Sequence, residues 1–246
     1  MKPTLVLVPC LLCDDAVWKA QCRELGRQAE TQIALHDPLD SLGALADAIV
    51  ARAPPRFAIA GHSMGGRIAL EVARRVPERL LGLALLDTGC EALDPGVTGQ
   101  QETERRYALL AQARRDGMRA MARNWIPGMI HPSRLDDESL VQPILDMFER
   151  RTADELEVQI RALLGRPDAT SVLATLTCPS LVLCGREDLA SPPARHAEMA
   201  EKLGRAGLCV VPECGHMSTL ERPEAVSRAM STWLETIGSL QGRPGL

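Results

Sequence analysis

The segment Gly61-His62-Ser63-Met64-Gly65-Gly66 constrains this chain more than any other, because it stands where a strand must turn sharply into a helix. Upstream, Arg56-Phe57-Ala58-Ile59-Ala60 reads as a short buried strand; downstream, Ile68, Ala69, Val72, Ala73 and Val76 recur at helical spacing. A serine at such a corner is forced into a strained backbone conformation, with its hydroxyl pushed clear of the sheet. The glycines two before and two after are needed because a Cβ there would collide with the crossing strand and helix. The helix N-terminus also presents unpaired N–H groups to negative charge that forms nearby. A Gly-x-Ser-x-Gly pentapeptide alone arises by accident in on the order of one chain in ten of this length. The reading of Ser63 as a nucleophile therefore rests on its setting.

Strands and helices alternate on both sides of that corner. Strands are expected at Thr4 to Val8, Gln32 to Leu35, Leu80 to Leu86, Leu181 to Cys184 and Leu208 to Val211. Helices are expected at Val17 to Leu25, Leu42 to Arg52 with Ser41 as cap, Pro193 to Leu203, and from Pro223 to about Ile237. This alternation predicts an α/β fold, a doubly wound parallel sheet with helices on both faces. From about Cys90 to Thr177 the alternation stops and four stretches read as helical: Gln100 to Arg115, Met118 to Trp125, Glu138 to Arg151 and Asp154 to Leu164. The expected organisation is a core of residues 1–89 and 178–246 with a helical lid, 90–177, over the carboxyl ends of the strands, where open sheets bind ligands.

A chain of 246 residues has room for one large α/β domain. Apolar residues make up 46% and aromatics only 2%, so the core must be built from Leu, Ala, Val and Ile. A net charge of −4 gives no reason to expect nucleic acid or an acidic membrane surface as partner. The apolar stretch after Lys2 is short and broken by Pro9, unlike a secretory leader, and no run approaches the ~20 apolar residues of a membrane span. Among eight cysteines, Cys184 and Cys209 sit in strand-like apolar runs as small hydrophobes. Cys10 and Cys13 have C-x-x-C spacing, which permits zinc or redox chemistry, yet no second pair follows at ligand spacing, so no metal is expected. The thiols are read as reduced and the compartment as cytoplasmic.

A serine hydroxyl needs a base within hydrogen-bond reach, itself oriented by an acid. His216 is the candidate base, since it follows the strand Leu208 to Val211 at a carboxyl end, as Ser63 does. His36, His131 and His196 read as loop or surface residues, and the side chain of His62 should diverge from its neighbour Ser63. The acid is Asp188, just past the strand Leu181 to Cys184; Asp87, ending the preceding strand, competes for the role. An oxyanion would need backbone donors, expected from the N–H of Met64 and from the loop after the first strand at Leu11.

Taken together, these tracts resemble the α/β-hydrolase superfamily over nearly the whole chain, including Gly185-Arg186-Glu187-Asp188 and the run from Gly215-His216 to Pro223-Glu224. Members usually carry His-Gly where Pro9-Cys10 stand, and often begin with two further strands. The resemblance implies a sheet of about six strands here. It also implies a cofactor-independent serine hydrolase acting on a small carboxylic ester or lactone, closer to small esterases and enol-lactone hydrolases than to triglyceride lipases. The same residues could serve a cofactor-free perhydrolase or lyase, or a ligand-binding protein without catalysis. Trp125, Met121, Met129 and Phe148 in the helical stretch are expected to face the substrate pocket. The oligomeric state is not legible.

Overall fold

The computed structural model describes residues 2–241. Its strands are β1 (Thr4–Val8), β2 (Glu30–Ile33), β3 (Phe57–His62), β4 (Leu80–Leu86), β5 (Ser180–Gly185) and β6 (Ala206–Val211). They form one parallel sheet in the order β2-β1-β3-β4-β5-β6. The central strands β3, β4 and β5 are buried at every residue, which is why their sequences are continuous apolar runs and do not alternate. Chain order reverses between β1 and β3, so the loops leaving those two strands part and open a crevice at their carboxyl ends.

Helices cover both faces. Following β1 come α1 (Lys19–Leu25), α2 (Leu42–Arg52) and α3 (Met64–Arg75). Ser41 caps α2 as expected, its hydroxyl accepting from the Ala44 N–H at 3.0 Å. Helix α3 buries the predicted stripe of Ile68, Ala69, Val72 and Ala73, at roughly 1.5–3 kcal/mol for each larger side chain. Between β4 and β5 stand α4 (Val97–Asp116), α5 (Met118–Trp125), α6 (Glu138–Glu149), α7 (Ala153–Leu164) and α8 (Thr170–Thr175). The Ala169 N–H donates to the Cys90 carbonyl at 2.8 Å, which pinches this excursion shut at its base. Helices α4 to α7 pack on one another. By contrast α8 packs on α3 and on α9 (Pro193–Leu203), although it falls inside the 90–177 span. The chain continues through α10 (Ser218–Glu221) to α11 (Pro223–Gln241), which lies on α1.

Four strands differ from the sequence reading by one or two residues at their ends: β3 and β5, which run past it at their carboxyl ends, and β2 and β6. Strand β2 ends at Ile33 because its register against β1 runs from Thr4↔Glu30 to Leu7↔Ile33, leaving Leu35 outside and exposed. Strand β6 begins at Ala206 because backbone pairing with β5 starts at Ser180↔Ala206, through a glycine and an exposed Leu208 that no burial pattern marks. No helix among the described residues is long and apolar enough to cross a membrane.

Candidate active site

Ser63 occupies the turn between β3 and α3 at φ 55°, a left-handed conformation that costs a non-glycine residue about 1–3 kcal/mol. Its neighbours hold it there. The Ser63 N–H donates to the Leu86 carbonyl at 2.8 Å, and the Thr88 hydroxyl donates to the Ser63 carbonyl at 2.7 Å. A Cβ on Gly65 would run into the carbonyls of Val8 and Pro9, so the corner lies flush on the end of β1 only with glycine there.

The ring of buried His216 stands between Ser63 and Asp188. Its Nδ1 is 2.9 Å from Asp188 Oδ2 and its Nε2 is 2.8 Å from Ser63 Oγ. An ionised carboxylate can only accept, so the proton sits on Nδ1, and Nε2 is left to accept from the serine hydroxyl. Burial alone would lower the pKa of His216, but the Asp188 charge and hydrogen bond, with help from Asp87 and Glu221, hold it above the ordinary imidazole value. The other oxygen of Asp188 accepts from the Ala190 and Ser191 N–H groups at 2.9 Å each. Burial favours the neutral acid, yet His216 and these donors keep the Asp188 carboxyl below its usual range.

Asp87 lies beside this chain and has a different set of partners. It accepts from the Gly185 N–H at 3.0 Å and from the Ser218 hydroxyl, so it ties the loop of Asp188 to the start of α10. His62 diverges from Ser63 as expected, and its Nε2 lies 2.7 Å from the His216 carbonyl oxygen and 3.3 Å from Asp87. His196, expected at a loop or surface, is instead fully buried, accepting from the Thr88 N–H at 3.0 Å. His36 lies in the loop after β2, but its ring nitrogens are buried, and burial pulls its pKa down to about 4.

Glu221 and Gln159 also shape the site, and sequence reasoning passes over both. Glu221 Oε1 accepts from the Gly215 and Met217 N–H groups at 2.9 and 3.2 Å, while Oε2 accepts from His131 N–H at 2.7 Å. It thus braces the loop that carries His216. Its place in the Gly215–Glu224 run is the one sequence signal, but a lone glutamate there reads equally as solvated. Gln159 on α7 accepts the Leu12 N–H at 2.8 Å. Leu12 is buried at φ 60° in a turn closed by Cys13 N–H on the Cys10 carbonyl at 3.1 Å.

That same turn corrects the reading of the thiols. Cys10 and Cys13 form a disulfide, because the turn brings their Cα atoms to 5.3 Å, inside the range a bridge requires. These two positions therefore no longer speak for a cytoplasmic compartment; the other six cysteines are free. Among the described residues no group of three His, Cys, Asp or Glu side chains is placed to hold a metal ion.

A cavity of about 770 Å³ opens over Ser63 and His216. Leu11 and Met64 line it, and among the described residues neither backbone N–H has a hydrogen-bond partner. Trp125 and Met129 line it too. Met121 and Phe148 do not: both are buried among the insert helices, with Phe148 stacked at 5.5 Å on the far side of Trp125. They face inward because the apolar stripe of each short helix must first seal the insert to itself. Five arginines also line the cavity, which nothing in the spacing of Arg67, Arg105, Arg106, Arg166 and Arg195 foretells.

Residues 9–229 match the profile of the alpha/beta hydrolase family. The chain is 27% identical over 190 residues to a pimeloyl-[acyl-carrier protein] methyl ester esterase of Nitrosomonas europaea, covering 76% of this chain and 74% of that one. Its structure superposes on a thermophilic esterase from Thermogutta terrifontis, solved with malate bound, at a TM-score of 0.84 and 27% identity over 96% of this chain and 91% of that one. An enol-lactonase from Burkholderia xenovorans shares the fold at a TM-score of 0.82 and 23% identity, over 96% and 92% of the two chains.

Proposed function

The chain belongs to the alpha/beta hydrolase family, and on that footing we propose that it cleaves a small carboxylic ester or lactone through an acyl-enzyme on Ser63. The observation that carries this reading is the unbroken hydrogen-bond chain from Asp188 through His216 to the Ser63 hydroxyl, ending in a cavity. The esterase relatives support it at the level of reaction class.

In this mechanism Ser63 Oγ attacks the substrate carbonyl carbon while His216 Nε2 takes the hydroxyl proton. Asp188 stays ionised and stabilises the imidazolium at Nδ1. The carbonyl oxygen becomes an oxyanion, and the unpartnered N–H groups of Met64 and Leu11 would receive it; losing one such donor typically costs about 2.7–4 kcal/mol. Collapse of the tetrahedral species expels the alkoxide, which takes the proton from His216 Nε2. A water deprotonated by His216 then attacks the acyl carbon, and the acid leaves as Ser63 recovers its proton. A lactone follows the same path, with the alkoxide tethered to the acyl group. The helices of residues 90–177 act as the lid that selects the substrate.

The test is covalent labelling with a fluorophosphonate probe, alongside a panel of short-chain esters and lactones. Wild-type protein should take up one equivalent of probe and turn over members of the panel, and Ser63→Ala should do neither. Undiminished labelling of Ser63→Ala would overturn the assignment.

A further inference from the structure

The cavity over Ser63 is far more basic than the chain as a whole. Five arginines and one carboxylate, Glu102, line it, in a protein whose net charge is −4. Glu102 is fully engaged: Arg166 donates to both of its oxygens at 2.9 and 2.7 Å, and Arg106 Nε donates at 2.9 Å. Arg67 is paired less closely: the charges of Glu91 and Glu102 act on it without a side-chain hydrogen bond to either. Among the described residues its side chain makes one hydrogen bond, from Nη1 to the backbone carbonyl of Glu91 at 2.7 Å, and no carboxylate lies within ion-pair distance. Arg195 approaches only the Glu91 carboxylate, at 3.6 Å.

The Arg67 guanidinium, the Arg195 side chain and the Glu91 carboxylate meet beside Gly89, where an added Cβ would lie 3.0 Å from Arg67 Nη2, 2.8 Å from Arg195 Cδ and 3.0 Å from Glu91 Oε2. Burial, with the neighbouring charges of Arg166 and Arg195, pulls the Arg67 pKa down to about 9 against the opposing charges of Glu91 and Glu102. The Arg67 side chain is partly buried in the lining of a cavity whose apolar residues include Leu109 and Trp125. Glu91 and Glu102 set two negative charges against the five arginines of the lining, so positive charge is left over there for a ligand anion.

We infer that the substrate is an anionic ester or lactone, bearing a carboxylate or phosphate-type oxyanion that Arg67 and Arg195 bind while its carbonyl lies at Ser63. This assignment rests on the hydrolase reading above and narrows it. The spacing sets the size of the molecule. Arg67 follows Ser63 by four residues on α3, a rise of roughly 6 Å, so a few carbons separate the scissile carbonyl from the charged group. Planar guanidinium groups bind either kind of oxyanion through paired N–H donors.

Initial-rate measurements on matched esters test this. The substrates are monomethyl adipate (carboxylate), methyl 5-phosphonopentanoate (phosphonate) and methyl hexanoate (neutral). Wild-type enzyme should show kcat/KM at least ten-fold higher for one of the charged esters than for methyl hexanoate, and the favoured one identifies the oxyanion. Arg67→Gln should cut that ratio ten-fold or more, chiefly through KM, with Arg67→Lys recovering part of it. Arg195→Gln offers the same readout should the first variant fold poorly. A neutral ester turned over as well as both charged ones, or an unchanged ratio in both variants, would overturn the anion subsite and leave the hydrolase reading standing. Adipate titrated into Ser63→Ala by calorimetry separates the opposite case: if no ester is hydrolysed but adipate binds in an Arg67-dependent way, the subsite stands and the hydrolase reading falls.

Discussion

Gln159 accepts the backbone N–H of Leu12 at 2.8 Å, so the helical insert is hydrogen-bonded directly to the loop whose Leu11 N–H is a proposed oxyanion donor. Leu12 stands at φ 60°, which costs an L-residue roughly 1–2 kcal/mol and must be compensated by its surroundings. Gln159→Leu leaves a buried N–H unpaired, and should lower kcat about ten-fold, equivalent to about 1.4 kcal/mol, with KM much less affected. Steady-state kinetics on one good ester substrate check this; an unaltered kcat would mean that the insert does not position the loop.

Asp188 and Asp87 end neighbouring strands but should behave very differently. Asp188→Asn should lower kcat on the order of 10⁴-fold with little change in KM. Asp87→Asn should act mainly on stability, by about 1–3 kcal/mol, since it perturbs the buried acceptor for Gly185 and Ser218 without touching the His216 ring. Paired kinetic and thermal-melt measurements decide the matter, and reversed results would hand the acid's role to Asp87.

The pH–rate profile follows from His216. Only its neutral form can accept the serine proton, so kcat/KM should be high at alkaline pH and fall as pH drops through the His216 pKa. Because Asp188 raises that pKa, the midpoint should lie above the ordinary imidazole value of about 6.5. In Asp188→Asn, burial is opposed only by the smaller effects of Asp87 and Glu221, and the midpoint of the residual activity should move to lower pH. A wild-type midpoint at or below about 6.5 would contradict the arrangement.

Trp125 and Phe148 stack on each other, yet truncating them should have separate effects. Trp125→Ala opens the cavity wall and should change relative kcat/KM between short and long esters, at ~1–3 kcal/mol for each substrate methylene that the wall packs against. Phe148→Ala and Met121→Ala empty buried volume instead, and should cost about 2–5 kcal/mol of stability. Chain-length profiles and denaturant melts of the three variants distinguish these effects.

Acid stability should report on Glu102. Burial opposes its ionisation, but Arg166 and Arg106 outweigh that and hold its pKa at about 2 against a reference of 4.5. A depressed carboxylate stabilises the fold above its reference value and loses that contribution as pH falls from 4.5 toward 2. Wild-type stability should therefore drop more steeply across this window than that of Glu102→Gln, by at most about 1.4 kcal/mol per pH unit.

The parallel sheet was legible because buried strands and amphipathic helices repeat distinct periods, and Phe57–His62 next to Ile68 and Val72 shows both within a few residues. Ser63, Asp188 and His216 could be named because each follows a recognisable strand, and strand ends in a parallel sheet all lie on one edge. The partners of Asp87 were not legible, since choosing between two carboxylates depends on loop paths that no local pattern encodes. Neither was the arginine cluster. Arg67, Arg106, Arg166 and Arg195 come from α3, α4, the turn after α7 and α9, and only the packing of the insert over the sheet brings them together. Met121 and Phe148 were misplaced for a related reason: helical periodicity shows that a stripe is buried, but not which neighbour buries it.

The strand order β2-β1-β3-β4-β5-β6 also bears on how the molecule is assembled. Strands β1 to β4 form a contiguous block carrying Ser63, and β5 with β6 forms a second block carrying Asp188 and His216. Within the sheet they meet along one seam, β4 against β5, while α11 lies back on α1, and the entire helical insert is the tether between them. Ser63 and His216 are 153 residues apart in the chain, a long loop to close before any contact rewards it. Recovery of activity on refolding should therefore lag behind recovery of helical signal. A chain cut at an exposed turn within the insert should still reconstitute a working enzyme from its two fragments, since each retains a block of sheet and the seam, with α11 against α1, rejoins them.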